Sequence, residues 1–306
     1  MTVRDCPICG GNAAGLTFPY ATQWNGKLFS YFACASCKAT FVDPAPNDAD
    51  FALMYSKANY HDEHYSRVAA ENYRASIQLL KKQAPQVHSL LDFGCGNGAF
   101  ITAGHQEGLE CAGVEMDAAT IDFAKVNSGC PVDTLEATRA SGRTFDCIHL
   151  GDVLEHLPQP SVLLHELEGL LAPCGLFFIE GPLENNPSPV AAMAQFFGNA
   201  KRRLGDKKPG THKPTHLFRV DATNQRAFFT NVMGYGERYF AVYETGWPYY
   251  EQGASWRWSP GFVIKQSIGH VARALGGKAV PGGGTFGNRF AGLYALGVQI
   301  NPKGPA

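Results

Sequence analysis

No apolar run in this sequence reaches the ~20 residues that a membrane-spanning helix needs. The opening residues, Met-Thr-Val-Arg-Asp-Cys, contain no apolar stretch of the kind that marks a secretory signal. Both absences predict a cytoplasmic protein. Excess charge is missing too: 26 Lys and Arg against 27 Asp and Glu leave a formal net charge of −1. No global field therefore draws in nucleic acid or an anionic membrane. Internal repeats and low-complexity tracts are absent, which excludes a repeat architecture. What remains is ordinary for a globular chain, with 45% hydrophobic and 17% charged residues, and 306 residues suffice for one full α/β domain plus a smaller attachment.

The nine cysteines are not arranged as a disulfide framework. Cys95, Cys111, Cys130, Cys147 and Cys174 lie singly in apolar or Gly-rich stretches, where a thiol behaves as a small hydrophobe. The other four form Cys6-Pro-Ile-Cys9-Gly and Cys34-Ala-Ser-Cys37-Lys, two C-x2-C knuckles with 24 residues between them. Four thiolates can close a tetrahedral zinc site, which is structural because no ligand position stays open. The gap accommodates a β-hairpin, and a unit of this size with few large apolar residues needs such a staple. This usage fits a reducing compartment.

Along the chain we expect three parts: residues 1–45 as the zinc-binding module, 46–88 as a helical connector bearing Tyr55, Tyr60 and Tyr65, and 89–306 as the main domain. The Pro-rich exit Phe41-Val-Asp-Pro-Ala-Pro46 should carry few contacts across it. From residue 89, short apolar runs alternate with helical stretches: Ser89–Phe93, Cys111–Glu115, Val132–Leu135, Phe145–Leu150 and Gly175–Gly181 read as strands. That alternation implies right-handed crossovers and a doubly wound, mostly parallel sheet. Insertions are expected at about 183–220 and 246–288, the second rich in aromatics (Trp247, Tyr249, Tyr250, Trp256, Trp258) and carrying an amphipathic helix around Phe262–Leu275. Asp221 can cap a helix running to about Met233, and Gly236–Thr245 and Arg289–Ile300 complete the strands.

The densest information lies in Leu91-Asp92-Phe93-Gly94-Cys95-Gly96-Asn97-Gly98-Ala99. An apolar strand ends in an acid, and Gly94, Gly96 and Gly98 then let the backbone turn tightly toward a ligand at the next helix. The glycines alone also fit a dinucleotide fingerprint. Asp92 favours an ammonium over a pyrophosphate, which suits S-adenosylmethionine better than NAD. Glu115 ends the second strand, where a carboxylate can accept hydrogen bonds from ribose hydroxyls, with Met116 against an adenine face. Thr134 and Leu135 are candidates for the adenine edge, and Gly151, just past the fourth strand, is a further candidate cofactor-binding residue.

These segments, with Gly151-Asp-Val-Leu-Glu155-His156-Leu157 and His216-Leu-Phe, resemble class I S-adenosylmethionine methyltransferases. The knuckles followed by Phe41-Val-Asp-Pro and spaced tyrosines resemble their zinc-headed subgroup, which includes C-methyltransferases of nucleotide-linked deoxysugars. The resemblance implies a seven-stranded sheet, a small-molecule acceptor such as a sugar, nucleotide sugar or glycan, and catalysis by Glu155 and His156. It departs after residue 235, where those sugar enzymes usually carry a further domain; here the chain ends soon after the last strand. Substrate contacts are expected from Tyr60, Tyr65 and His216, and the 183–220 insertion offers Lys201, Arg202, Arg203, Lys207, Lys208 and Lys213 against Asp206. Such a cluster could clamp a phosphate, although a solvated helical face explains it equally. Two alternatives stay open: an RNA methyltransferase gripping nucleic acid with its zinc knuckle, and a non-catalytic protein that keeps the cofactor fold.

Overall fold

The computed structural model describes residues 3–55, 70–187, 189–205, 207–243 and 288–297, with Val263, Ser267, His270, Val271 and Ala274. Tyr60, Tyr65, Asp206 and the aromatic loop of the second insertion lie outside the described residues, as does most of the helix expected around 262–275.

Two sheets organise the chain. The first begins with strand β1 (Ala13–Trp24) and β2 (Lys27–Cys34), joined by Asn25-Gly26 with both residues at positive φ. That two-residue loop matches the right-handed twist of the flanking strands. β3 (Thr40–Asp43) pairs antiparallel with β2. A late strand, β9 (Phe218–Arg219), then adds to the other edge of β3, so the order is β1-β2-β3-β9.

The second sheet comprises β4 (Ser89–Phe93), β5 (Glu110–Val114), β6 (Val132–Asp133), β7 (Phe145–Gly151), β8 (Leu171–Pro182), β10 (Gly236–Tyr243) and β11 (Arg289–Ala295). Its order is β10-β11-β8-β7-β4-β5-β6, parallel from β8 to β6, with β11 antiparallel to both neighbours. This is the expected doubly wound, seven-stranded sheet. Its central strands are buried on both faces: Leu90, Leu91, Cys147, Ile148, Phe177 and Phe178 are all inaccessible to solvent. Near-continuous apolar runs are what parallel strands covered by helices require.

Two local readings need correction. The third strand ends at Asp133, so Leu135 is not a strand end but the first residue of the helix Leu135–Ala140. Thr134 is that helix's N-cap, its hydroxyl accepting from the Ala137 amide at 3.2 Å. The Pro-rich exit is not a sparse boundary either. Besides the β3–β9 ladder, Arg4 Nη1 donates to Pro158 O (3.0 Å) and Asn224 Nδ2 donates to Cys37 O (2.6 Å). Phe41 and Phe218 face each other in that ladder and are both buried, each worth about 1.5–3 kcal/mol of apolar burial. The first insertion packs on the head: Gly210 bonds to both Ala21 and Gln23, and the Arg202 guanidinium lies 4.5 Å above the Tyr20 ring.

Among the described residues, no helix is long and apolar enough to cross a membrane.

Candidate active site

The site is built at the C-terminal ends of β4, β5 and β7, where the strand order reverses and an open α/β sheet presents its crevice. Gly94, Gly96 and Gly98 all have positive φ, and Gly98 caps the helix Ala99–Gln106. A Cβ on Gly94 would sit 2.9 Å from Val153, so the turn tolerates no side chain there. Glu115 anchors this turn: its oxygens accept from the Gly96 amide (3.1 Å) and the Met116 amide (2.7 Å). A carboxylate has about four lone-pair sites, so two remain for a ligand's hydroxyls. Met116 itself is 69% exposed, presenting an apolar side chain beside the crevice.

Asp92 already has a partner inside the protein. Its Oδ1 lies 2.7 Å from His149 Nδ1, directly across the β4–β7 ladder. The imidazole stacks on Phe100 (3.6 Å between centroids), and its Nε2 stands 3.4 Å from Glu180 Oε2. Glu180 Oε1 in turn accepts from Ser76 Oγ (3.0 Å) and the Tyr243 hydroxyl (3.2 Å). Burial disfavours charge on His149, but the Asp92 charge and hydrogen bond, then those of Glu180, outweigh it and raise its pKa to about 9. Gly151 serves this network by being bare. A Cβ there would come within 2.6 Å of the His149 ring. An ammonium group reaching Asp92 therefore meets a carboxylate with one oxygen already engaged.

Past β7 the chain makes one turn, Leu154–His156, whose three side chains are all buried. Its entry is fixed by Asp152, at positive φ, in a two-pronged pair with Arg289 (2.8 and 2.9 Å). His156 Nδ1 lies 2.8 Å from Thr215 O and 2.9 Å from the Tyr55 hydroxyl, which also donates to Thr215 O (3.0 Å). The tautomer that suits all three carries hydrogen on Nδ1, leaving Nε2 as the basic nitrogen, 4.0 Å from Glu155 Oε1. His216 arrives from the return of the first insertion, its ring 4.9 Å from that of His156 and its Nδ1 2.7 Å from Glu184 Oε2.

Burial, then the Asp152 charge, pushes Glu155 up to about 8. Burial, then His216, drives His156 down to about 4, so this imidazole is neutral and only weakly basic. Glu184 goes the other way: burial opposes its ionisation, but the His216 hydrogen bond and Arg219 hold it down to about 2.

Sequence reasoning gave Glu155 and His156 a catalytic role and His216 a substrate contact; the structure brings ligand atoms of the three within 4.8 Å of one another. It missed His149, Glu180, Glu184 and Arg289 as members of the site. A signal existed for the first two: each is the one imidazole or carboxylate inside a strand stretch otherwise apolar, Cys147-Ile-His-Leu150 and Leu176-Phe-Phe-Ile-Glu180.

Away from this crevice, Cys6, Cys9, Cys34 and Cys37 converge with all four sulfurs within 4.8 Å of one another. Cys6 and Cys37 are 3.8 Å apart and Cys9 and Cys34 3.5 Å. Sulfurs bonded at ~2.3 Å to one tetrahedral ion stand roughly 3.8 Å apart, so the donor set and its spacing fit zinc.

A family model for the methyltransferase domain matches residues 62–229. The ubiquinone biosynthesis O-methyltransferase of Stutzerimonas stutzeri (strain A1501) is 30% identical over 110 residues, covering 33% of this chain and 47% of that protein. Its counterpart from Cereibacter sphaeroides (strain ATCC 17029 / ATH 2.4.9) is 35% identical over 109 residues, covering 33% and 44%. The chain thus spans about half the length of the curated relatives it matches. Among solved structures, a SAM-dependent methyltransferase from Archaeoglobus fulgidus superposes with a TM-score of 0.47 at 18% identity, over 75% of this chain and 95% of that one. Geranyl diphosphate C-methyltransferase from Streptomyces coelicolor A3(2) gives 0.46 at 13%, over 72% and 75%. With more than half its residues matched by the family model, and its strands in the order described, the chain belongs to the methyltransferase domain family and has the class I, S-adenosylmethionine-dependent fold.

Proposed function

We propose that this protein transfers the methyl group of S-adenosylmethionine to an oxygen or carbon of a small polar metabolite, a sugar, nucleotide sugar or glycan being the class favoured by the sequence resemblance. The observation that carries the reading is the pairing of two features at one crevice. Glu115 and Asp92 flank a glycine turn on one side, and the Glu155–His156–His216 cluster stands past β7 on the other. The first group would hold the cofactor, with Glu115 on the ribose, Met116 over the adenine and Asp92 toward the amino acid end. The second would meet the acceptor. The sulfonium donor is already activated, so the protein's work is to align acceptor and methyl group and to dispose of the acceptor's proton. The test is incubation with methyl-labelled cofactor and a panel of nucleotide sugars and glycans. Label transfer with release of S-adenosylhomocysteine is expected, and a panel without turnover, together with calorimetry showing no cofactor binding, overturns the reading.

The role of Glu115 has its own measurement. Glu115→Ala leaves ribose hydroxyls unpaired and is expected to weaken S-adenosylhomocysteine binding by roughly 1–3 kcal/mol in calorimetry. Equal affinity in the variant would remove Glu115 from the cofactor site.

The four-cysteine cluster would hold one structural zinc ion per chain, stapling both knuckles to the β1–β2 hairpin. Elemental analysis of tag-free protein is expected to find it, and Cys9→Ser to lose it and melt the head first.

A further inference from the structure

We propose that Glu155, His156 and His216 form a second metal site, for a divalent transition-metal cation that holds an oxygen of the acceptor. This rests on reading the cluster as the acceptor end of a methyltransferase site. It is separate from the four-cysteine cluster at the head.

Three observations converge. First, a nitrogen from each imidazole and a carboxylate oxygen of Glu155 lie within 4.8 Å of one another. Two imidazoles and one carboxylate are a set that binds Zn²⁺, Fe²⁺ or Co²⁺ and leaves coordination positions open. Second, both rings are held from behind as metal-binding histidines are. His156 Nδ1 meets the Thr215 carbonyl at 2.8 Å, and His216 Nδ1 meets the Glu184 carboxylate at 2.7 Å. Such outer partners fix the tautomer and aim the other nitrogen at the ion. Here each ring is held at Nδ1, and the two rings stand 4.9 Å apart beside the Glu155 carboxylate.

Third, Glu155 is 6% exposed and its Oε1 has no hydrogen-bond partner among the described residues. A buried carboxylate oxygen left unsatisfied is costly, and native structures rarely keep one without a ligand or ion. The 4.0 Å between this oxygen and His156 Nε2 is too long for a hydrogen bond. It is within the span that two ligand bonds of ~2.1 Å can bridge. One cation at this point would satisfy the orphaned oxygen and use a nitrogen from each ring.

The chemistry gained is Lewis acidity. An acceptor hydroxyl bound to the cation becomes more acidic and gives its proton to water. Its oxygen lone pair forms the new C–O bond, and the C–S bond breaks with its electron pair returning to sulfur, giving S-adenosylhomocysteine. Where carbon is methylated, the same cation would hold the neighbouring carbonyl oxygen, and the carbon's proton again leaves to water. The acceptor is therefore of a kind that offers an oxygen ligand to the ion.

The test is a titration of Co²⁺ into the zinc-loaded full-length chain, followed by calorimetry and visible absorption. One Co²⁺ per chain is expected, with the spectrum of nitrogen and oxygen ligands and no thiolate-to-cobalt charge-transfer band. Glu155→Ala and His216→Ala are each expected to weaken uptake by tenfold or more, and Glu184→Gln, which would not touch the ion, by about 10–100-fold. S-adenosylhomocysteine affinity in the same variants reports that they are folded. No uptake by the wild type, or uptake unchanged in all three variants, overturns the site. Methyl transfer that persists with no cation beyond the zinc also overturns it while leaving the proposed function standing. Failure to bind the cofactor, with cobalt uptake intact, strikes the function instead.

Discussion

Replacing His156 with Gln is expected to cut turnover by ~10²-fold or more while leaving S-adenosylhomocysteine affinity and melting temperature near those of the wild type. Gln keeps a polar group of similar reach that can still answer Thr215 and Tyr55, so the turn Leu154–His156 should survive. What it removes is the Nε2 lone pair facing Glu155. The structure sharpens the basis of this expectation. A buried imidazole held down to about 4 is a poor proton acceptor by itself near neutral pH. It remains a good lone-pair donor, because it is neutral there, and the two roles respond differently to the same substitution. If Nε2 acts through a cation, added Co²⁺ or Zn²⁺ should partly restore the variant; a simple base would not be rescued. Near-normal turnover of His156→Gln on the true acceptor would take His156 out of the mechanism. Loss of turnover with loss of stability would make it a packing residue.

The second large effect is expected at His149. This ring lies between Phe100 and Phe178, with Asp92 on one nitrogen and Glu180 near the other. His149→Leu fills similar space but leaves two buried carboxylates facing each other without a cation. Removing one partner from a buried charged pair costs about 3–5 kcal/mol, so the denaturation midpoint should fall correspondingly. The wild type should also carry a pH signature. The folded-state pKa of His149 is raised from 6.5 to about 9, so its stabilisation is complete below about pH 6.5 and is lost as pH rises through 9. Unfolding free energy measured from pH 6.5 to 9 is expected to decline in the wild type and to lose that component in His149→Leu. Identical pH profiles would show that the imidazole carries no proton into the folded state. Cofactor affinity is expected to fall as well, since Asp92 and the strand end that bears the glycine turn are held by this ring.

How much of this was legible beforehand follows the range of the interactions involved. Strand identity in β4, β5, β7 and β8 was readable because buried parallel strands announce themselves as short apolar runs between turn signals. The glycine turn was readable because positive φ leaves few residue choices. A family likeness suggested Glu155, His156 and His216 as site residues but not their convergence, since 59 residues separate His156 from Thr215, its partner on the His216 segment. Nothing local encodes that approach. The Asp92–His149 pair depends on the β4–β7 register, a relation between strands separated by three crossovers. The misjudged end of β6 has a simpler cause. Val132-Asp-Thr-Leu135 is a short stretch with β-branched and apolar residues, but Thr134 with Glu136 and Ala137 behind it is also a helix start, and the cap took precedence.

The β3–β9 ladder bears on how the chain matures during synthesis. The four cysteines and the first three strands emerge from the ribosome early. The fourth strand of that sheet follows only after residue 219 has been made. Until then β3 presents a bare edge and Phe41 lacks the facing Phe218, a pairing surface open to any extended segment nearby. Vectorial synthesis therefore leaves the head one strand short for most of translation. The segment that finally covers it also carries His216, so the Glu155–His156–His216 cluster is assembled in the same late step that seals the head.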